Sequence, residues 1–282
     1  MASEALKHAM AALSASGEAP DLSSQSLAPS KLGTKEHWDG VYEREVKMFK
    51  DIGDEGEVWF GEDSAQDMVD WAEEHFPQTD GRILDVGTGN GQLMFAFSSA
   101  GYTSLTGIDY SSLSIQLAQS ILESRLTSSE PTSTTTTTTE PQNEEDEDEY
   151  ESERSQPALS DPPPKFFVAN ILEVALDRPV SGVTGEKWDL ITDKGTYDAV
   201  CLSDETREGK RLQDLYVESV AKLLVKGSIF LITSCNWTQA ELEAAFVNDK
   251  TGLVVHSNVP RMSFQFGGST GSSITTVAFE KQ

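Results

Sequence analysis

The sequence predicts an α/β domain: a Rossmann-like sheet of seven strands, parallel apart from one antiparallel edge strand, flanked by helices and preceded by an N-terminal helical cap. Three observations lead there. Short apolar runs alternate with helical stripes along most of the chain. A cluster of glycines directly follows the first such run, Arg82 to Val86. The chain closes on two β-rich runs joined through a glycine-rich turn, the pattern of an antiparallel hairpin at a sheet edge.

Taken in order, residues 1–30 are small and polar, rich in Ala and Ser, and are expected to be a disordered tail. The cap is expected over 31–80. There Trp38, Val41, Tyr42, Val46 and Phe49 fall on one helical stripe, the loop DIGDEGEVWFGED follows, and Ser64 with Asp67 three residues on predicts the start of a second helix through Met68, Val69, Trp71, Ala72 and Phe76. The core is expected over 81–282. RILDV and SLTGIDY read as parallel strands, each followed by a helix (QLMFAFSSAG, then SSLSIQLAQSILESRL). KFFVANIL, KWDLITD and SIFLITSCN read as strands, with a helix carrying Leu212, Leu215, Tyr216, Val220, Leu223 and Leu224 between the last two. A short helix, TQAELEAAF, precedes the final strands GLVVHSNV and SSITTVAFE.

Residues 127–165 break the alternation with six consecutive threonines, an acidic block from Glu144 to Glu149 and prolines 162 to 164. Such a segment buries too little apolar surface to offset its ordering entropy, so a disordered insert is expected. The other reading is an acidic arm for a basic partner.

The chemistry gathers at Asp85-Val86-Gly87-Thr88-Gly89-Asn90-Gly91. Glycines behind a strand let the backbone turn tightly and a ligand approach it. Gln92 stands where a dinucleotide fingerprint has its third glycine. Asp85, at the strand end, suits a ligand with an ammonium group, and Asp109, 24 residues on, suits ribose hydroxyls. A nucleoside with a cationic amino-acid tail satisfies both, and S-adenosylmethionine is such a molecule. Asn170 is placed to meet an adenine edge, and Asp193, ending the fourth strand, to stand near the reacting methyl group. The plain alternatives are helix capping for Asp85, Asp109 and Asp193, a ligand-free turn for the glycines, and strand termination for Asn170.

Charge narrows the partner. With 21 basic and 47 acidic residues the net charge is −26, and the insert alone contributes −9. The chain lacks the basic stripe that phosphate backbones need, so direct nucleic-acid binding is not expected and a basic protein or small molecule is. The Asp/Asn-Pro-Pro-Tyr/Phe motif of enzymes that methylate adenine or glutamine amides is absent: the position after the fourth strand reads Asp193-Lys194-Gly195-Thr196, and Asp161-Pro162-Pro163-Pro164 lies in the insert without an aromatic. Cys201 and Cys235 have no metal-ligand spacing, so no metal is expected and both thiols read as reduced. No run reaches the roughly 18 apolar residues of a membrane span. The amino terminus lacks a signal peptide's apolar core. A soluble, cytoplasmic monomer with possible nuclear access is expected.

Several stretches are more specific: LGTKEHWDGVYEREVKMFKDIGDEGEVWFGED, ILDVGTGNGQLMFAF, LTGIDYSSLSIQLAQ, WDLITDKGTYDAV, ITSCNWTQAEL and FGGSTGSSITTVAFEK. In these the chain resembles the eukaryotic lysine methyltransferases that modify translation elongation factor 1-alpha, a branch of the seven-β-strand methyltransferases. The glycine motif is common to many methyltransferases; the WDxxY, EVWFGE and DKGTYDA stretches carry the likeness, which spans nearly everything after residue 31 except the insert. The resemblance implies cofactor contacts at Asp85, Gly87, Gly89, Asp109, Asn170 and Asp193. It also implies a cap over cofactor and substrate channel formed by Trp38, Tyr42 and the loop Trp59, Phe60, Gly61 and Glu62. Periodicity alone gives Trp38 and Tyr42 ordinary helix packing. The expected activity is S-adenosylmethionine-dependent methylation of a protein lysine, with Asp193 orienting the amine or accepting its proton. The alternatives are an enzyme of the same fold acting on a small molecule and a non-catalytic cofactor-binding scaffold.

Overall fold

The computed structural model describes residues 26–128, 158–259, 264–266, 269–271 and 274–282. Most of the expected insert and amino-terminal tail lies outside these residues. Seven strands form one sheet: β1 (Arg82–Val86), β2 (Ser104–Asp109), β3 (Lys165–Val168), β4 (Trp188–Lys194), β5 (Leu224–Ser234), β6 (Leu253–Asn258) and β7 (Thr275–Lys281). Their order is β3-β2-β1-β4-β5-β7-β6. Neighbours are parallel from β3 to β5, and β7 runs antiparallel to both β5 and β6. β1 lies between β2 and β4, so the crossovers diverge there and open a crevice at the carboxyl ends of the strands.

Strand alternation sorts the core into two layers. Ile83, Leu105, Leu190, Ile229 and Leu231 face one cluster with helices α2 (Glu62–His75), α3 (Gln92–Ser99) and α4 (Ser112–Ser128). Leu84, Ile108, Ile191, Phe230 and Ile232 face the other, with α5 (Leu172–Ala175), α6 (Thr196–Cys201), α7 (Leu212–Leu223) and α8 (Gln239–Phe246). Phe246 is the keystone of that second layer, its ring 5.0 Å from those of both Tyr197 and Phe230. A fully buried aromatic of this kind contributes about 1.5–3 kcal/mol. α8 begins on a reciprocal cap: the Thr238 hydroxyl accepts from the Glu241 N–H while the Glu241 carboxylate accepts from the Thr238 N–H.

The long helix α1 (Lys35–Ile52) starts at Thr34, whose hydroxyl accepts from the His37 N–H, and stops at Gly53, left-handed at φ 76°. It covers the crevice. Five expectations shift. The second N-terminal helix begins at Glu62 behind Gly61, while the Ser64 hydroxyl donates to the Gly61 carbonyl from inside it. That helix packs Met68, Val69, Trp71 and Ala72 into the core, so the cap narrows to α1 and the loop behind it. KFFVANIL is split, because β3 ends at Val168 and Leu172–Ala175 is a helical turn. The insert, expected over 127–165, is shorter on its described flanks: Thr127 and Ser128 belong to α4, Leu159 packs on the core, and Ser160 is hydrogen-bonded to Ser98. Likewise Leu27 packs on the core and the Ser30 N–H donates to the Leu202 carbonyl, so the expected tail of 1–30 includes docked residues at its end. No helix among the described residues is long and apolar enough to cross a membrane.

Candidate active site

A cavity of about 670 Å³ opens at the carboxyl ends of β1, β2 and β4. Its floor is the glycine turn, with Gly87 at φ 70°, Gly89 at φ 57° and Gly91 at φ 83°, a region side chains disfavour. Space is short as well: a Cβ on Gly87 would stand 2.0 Å from the Thr196 hydroxyl, and one on Gly89 would stand 2.8 Å from that of Tyr42.

Two buried carboxylates flank the turn. Asp85 accepts a 2.9 Å bond from the Thr192 hydroxyl on β4. Burial pushes its pKa up, against the pull of hydrogen bonds and of Lys194. Asp109 accepts from the Gly89 N–H at 3.2 Å and the Ser111 N–H at 2.8 Å, which ties the β2 end to the glycine turn. Burial raises its pKa to about 6, with the Asp85 charge adding to the rise against those hydrogen bonds. A cavity floored by two desolvated acids favours a cationic ligand.

Asn170 lines the cavity beside Val168, Ala169 and Ile171, and its side-chain amide oxygen accepts from the Leu172 N–H. Above the floor stand Trp38, Tyr42, Trp59 and Phe60. Trp38 stacks on Tyr42 and meets Trp59 edge-on at 4.9 Å, while its ring N–H donates to the Leu32 carbonyl at 2.7 Å. Tyr42 is buried, and desolvation followed by the Asp109 charge lifts its pKa well above 10. The other half of the expected loop departs from the reading. Gly61 is the turn ahead of α2, and Glu62 faces a separate shallow hollow beside Gln66 and Arg125.

Asp193 lies apart from the cavity. Its carboxylate is fully buried and engaged by three donors: the Thr196 N–H at 2.8 Å, the Tyr197 N–H at 2.9 Å and the Tyr216 hydroxyl. Burial raises its pKa to about 7. It is not among the residues lining the cavity. The register explains this: Asp85 pairs with Thr192 and Val86 with Asp193, so Asp193 points to the α7 side and caps α6. The cavity wall beyond β4 is made instead by Lys194, Gly195, Thr196 and Asp198. Asp198 accepts from the Ser234 hydroxyl at 2.6 Å and the Cys235 N–H at 2.9 Å, and burial raises its pKa. Sequence reasoning passed over Lys194 and Asp198, though strand parity marks Lys194 as sharing a face with Thr192.

S-adenosylmethionine fits this donor set. Asp85 and Asp109 match its cationic tail and ribose, the glycine turn admits it to the main chain, and the aromatic roof suits its apolar parts.

No family model matches the chain. Among curated proteins it is 39% identical over 268 residues to the protein-lysine N-methyltransferase efm4 of Schizosaccharomyces pombe, covering 90% of this chain and 95% of that one. It is 33% identical to the EEF1A lysine methyltransferase 2 of Mus musculus (100% and 97% covered) and 34% identical to that of Homo sapiens (96% and 95%). A solved TehB-like SAM-dependent methyltransferase from Corynebacterium glutamicum superposes with a TM-score of 0.49 at 14% identity over 88% of this chain and 100% of that one. At that level the fold assignment rests on the strand order itself.

Proposed function

The chain belongs to the family of protein-lysine N-methyltransferases that includes efm4 and EEF1A lysine methyltransferase 2, and we propose that it methylates a lysine of translation elongation factor 1-alpha. The substrate rests on the likeness to these relatives; the observation that carries methyl transfer is the pair of buried carboxylates, Asp85 and Asp109, joined across a glycine turn under an aromatic roof. S-adenosylmethionine, when bound, supplies a methyl group on a sulfonium. Asp85 and Asp109 would hold its charged and hydroxylated parts, with Asn170 at the base. Trp38, Tyr42, Trp59 and Phe60 exclude water from the transfer side.

The acceptor amine must arrive neutral, though a free lysine has a pKa of about 10.4. A partly dry chamber beside the cofactor's positive sulfonium would disfavour a second charged group and so promote loss of the amine's proton. The orienting role expected of Asp193 falls to Asp198, the carboxylate that lines the cavity beyond β4. Alignment of the two reactants then supplies much of the rate. The strongly acidic surface favours a basic protein over nucleic acid. We place the reaction in the cytoplasm, with the enzyme a monomer.

The test is incubation of the purified protein with methyl-labelled cofactor and purified elongation factor 1-alpha, followed by peptide mapping. Label on one lysine, lost with Asp109→Ala, is the expected result. Label confined to small molecules would move the chain to the metabolite class, and absence of cofactor binding by calorimetry would leave a scaffold.

A further inference from the structure

Lys194 leaves the end of β4 on the face of Thr192 and runs along the cavity wall, where its ammonium donates a 2.7 Å bond to the Trp59 carbonyl. The same group lies 5.9 Å from the centre of the Phe60 ring. A buried lysine gives up its hydration only for fixed partners; besides the charges of Asp85 and Asp193, its direct contacts here belong to one short turn. Val58 to Gly61 is closed by a 2.8 Å bond from the Gly61 N–H to the Val58 carbonyl, with Phe60 at φ 66°. That third position of the turn is one where glycine or asparagine is favoured and a bulky residue is strained.

The strain is held from several sides. The Phe60 ring lies against Gly195, where a Cβ would come within 2.9 Å of it. Just before the turn, the Asn90 amide donates to the carbonyls of Glu55 and Glu57 at 2.9 and 3.3 Å. Trp59, carried by the turn, meets Trp38 of the roof. Strained backbone persists only where its surroundings over-determine it, and Lys194 is the charged member of these surroundings.

We propose that Lys194 is a positioning residue that clamps the Trp59–Phe60 turn against β4, so that the two rings form the wall of the chamber where the acceptor amine meets the cofactor. This rests on the methyl-transfer reading of the cavity. Lys194 acts on the acceptor side through the turn; its charge also reaches Asp85 of the cofactor floor, while Gly89 and Asp109 are held by bonds of their own.

The full chain carrying Lys194→Met, close in size and uncharged, tests this with three measurements. Hydrogen exchange of the Gly61 amide, measured without any substrate, should quicken roughly tenfold or more, as expected for loss of a hydrogen bond from a charged donor. Cofactor affinity by calorimetry should change less than kcat/KM on elongation factor 1-alpha, which falls roughly ten- to a hundredfold. Lys194→Arg, which keeps a donor, should recover part of both the protection and the turnover. Unchanged exchange at Gly61 overturns the clamp, and an affinity loss equal to the turnover loss makes Lys194 a cofactor contact instead. Should the methionine variant fail to fold, Phe60→Leu removes the ring and keeps the lysine; faster Gly61 exchange supports the clamp, and unchanged exchange overturns it. A parent protein that leaves elongation factor 1-alpha unlabelled refutes the substrate, while the exchange measurement still judges the clamp.

Discussion

Replacing Asp109 by Asn should make the cofactor-free protein more stable at neutral pH while weakening its hold on the cofactor. The Asp109 carboxyl moves from 3.8 to about 6 on folding, with burial the main cause. A folded-state value above the unfolded one means the folded protein binds the proton more tightly, so this group's contribution to stability falls as pH rises from about 4 to about 6. Carrying the buried charge therefore costs about 3 kcal/mol at pH 7 and roughly half that at pH 5. Asn removes the charge but keeps one acceptor oxygen for the two N–H groups of Gly89 and Ser111, and losing one of those bonds costs about 1–2 kcal/mol. The variant should thus gain about 1–2 kcal/mol in urea unfolding at pH 7, a gain that closes near pH 5. Its affinity for S-adenosylmethionine should drop about ten- to a hundredfold, the loss of a charge-assisted acceptor. An Asp109→Asn protein less stable than the parent at pH 7, or a gap that ignores pH, would refute the charge-burial reasoning. Undiminished affinity would remove Asp109 from the cofactor site.

Other perturbations separate structure from chemistry. Tyr216→Phe withdraws one of the three donors on Asp193 and should cost about 1.5–3 kcal/mol of stability with cofactor affinity unchanged; loss of turnover at full stability would return Asp193 to the chemistry. Asp198→Asn should lower kcat far more than cofactor affinity, because an orienting interaction belongs to the transition state, and parallel losses would argue for a purely structural bond to Ser234. Replacing residues 129–157 by a short Gly-Ser bridge should leave folding and methylation intact, since halving a loop changes its closure entropy by only about 0.6 kcal/mol. A bridged protein that binds cofactor but no longer labels elongation factor 1-alpha would make the acidic segment a docking arm. In the parent, cofactor affinity followed by calorimetry should decline as pH drops through about 6, where Asp109 takes up its proton.

The sheet was legible because each strand advertises itself by composition and each crossover by its helical stripe; the glycine turn and both flanking acids followed from local pattern alone. The failures share a physical cause, which is that sequence spacing gives position along an element more readily than direction. Asp193 does end β4, but a strand's side chains alternate, and only the pairing of Val86 with Asp193 shows it turned from Asp85. Trp59 and Phe60 enter the cavity while Gly61 and Glu62 do not, because a tight turn reverses direction between them. Ser64 carries the chemistry of a helix cap, yet the cap lies three residues earlier at Gly61, with no side-chain bond to announce it. Periodicity gave Trp38 and Tyr42 plain packing; their place over the cavity depends on how α1 lies across the sheet, a long-range fact that local pattern does not contain.

The two-sided use of β4 also bears on how this gene can change. Thr192 and Lys194 serve one face of the sheet and Asp193 the other; Thr192 and Asp193 are paired with both β1 and β5, and Lys194 with β5. Point substitutions here are graded injuries. Insertion or deletion of one codon between Trp188 and Lys194 is different in kind, because it exchanges the faces of every later residue at once. The lysine would be driven into the α7 layer and the capping carboxylate into the cavity. The length of this strand beyond Leu190 therefore matters to both faces at once, whereas any one of its letters matters to one.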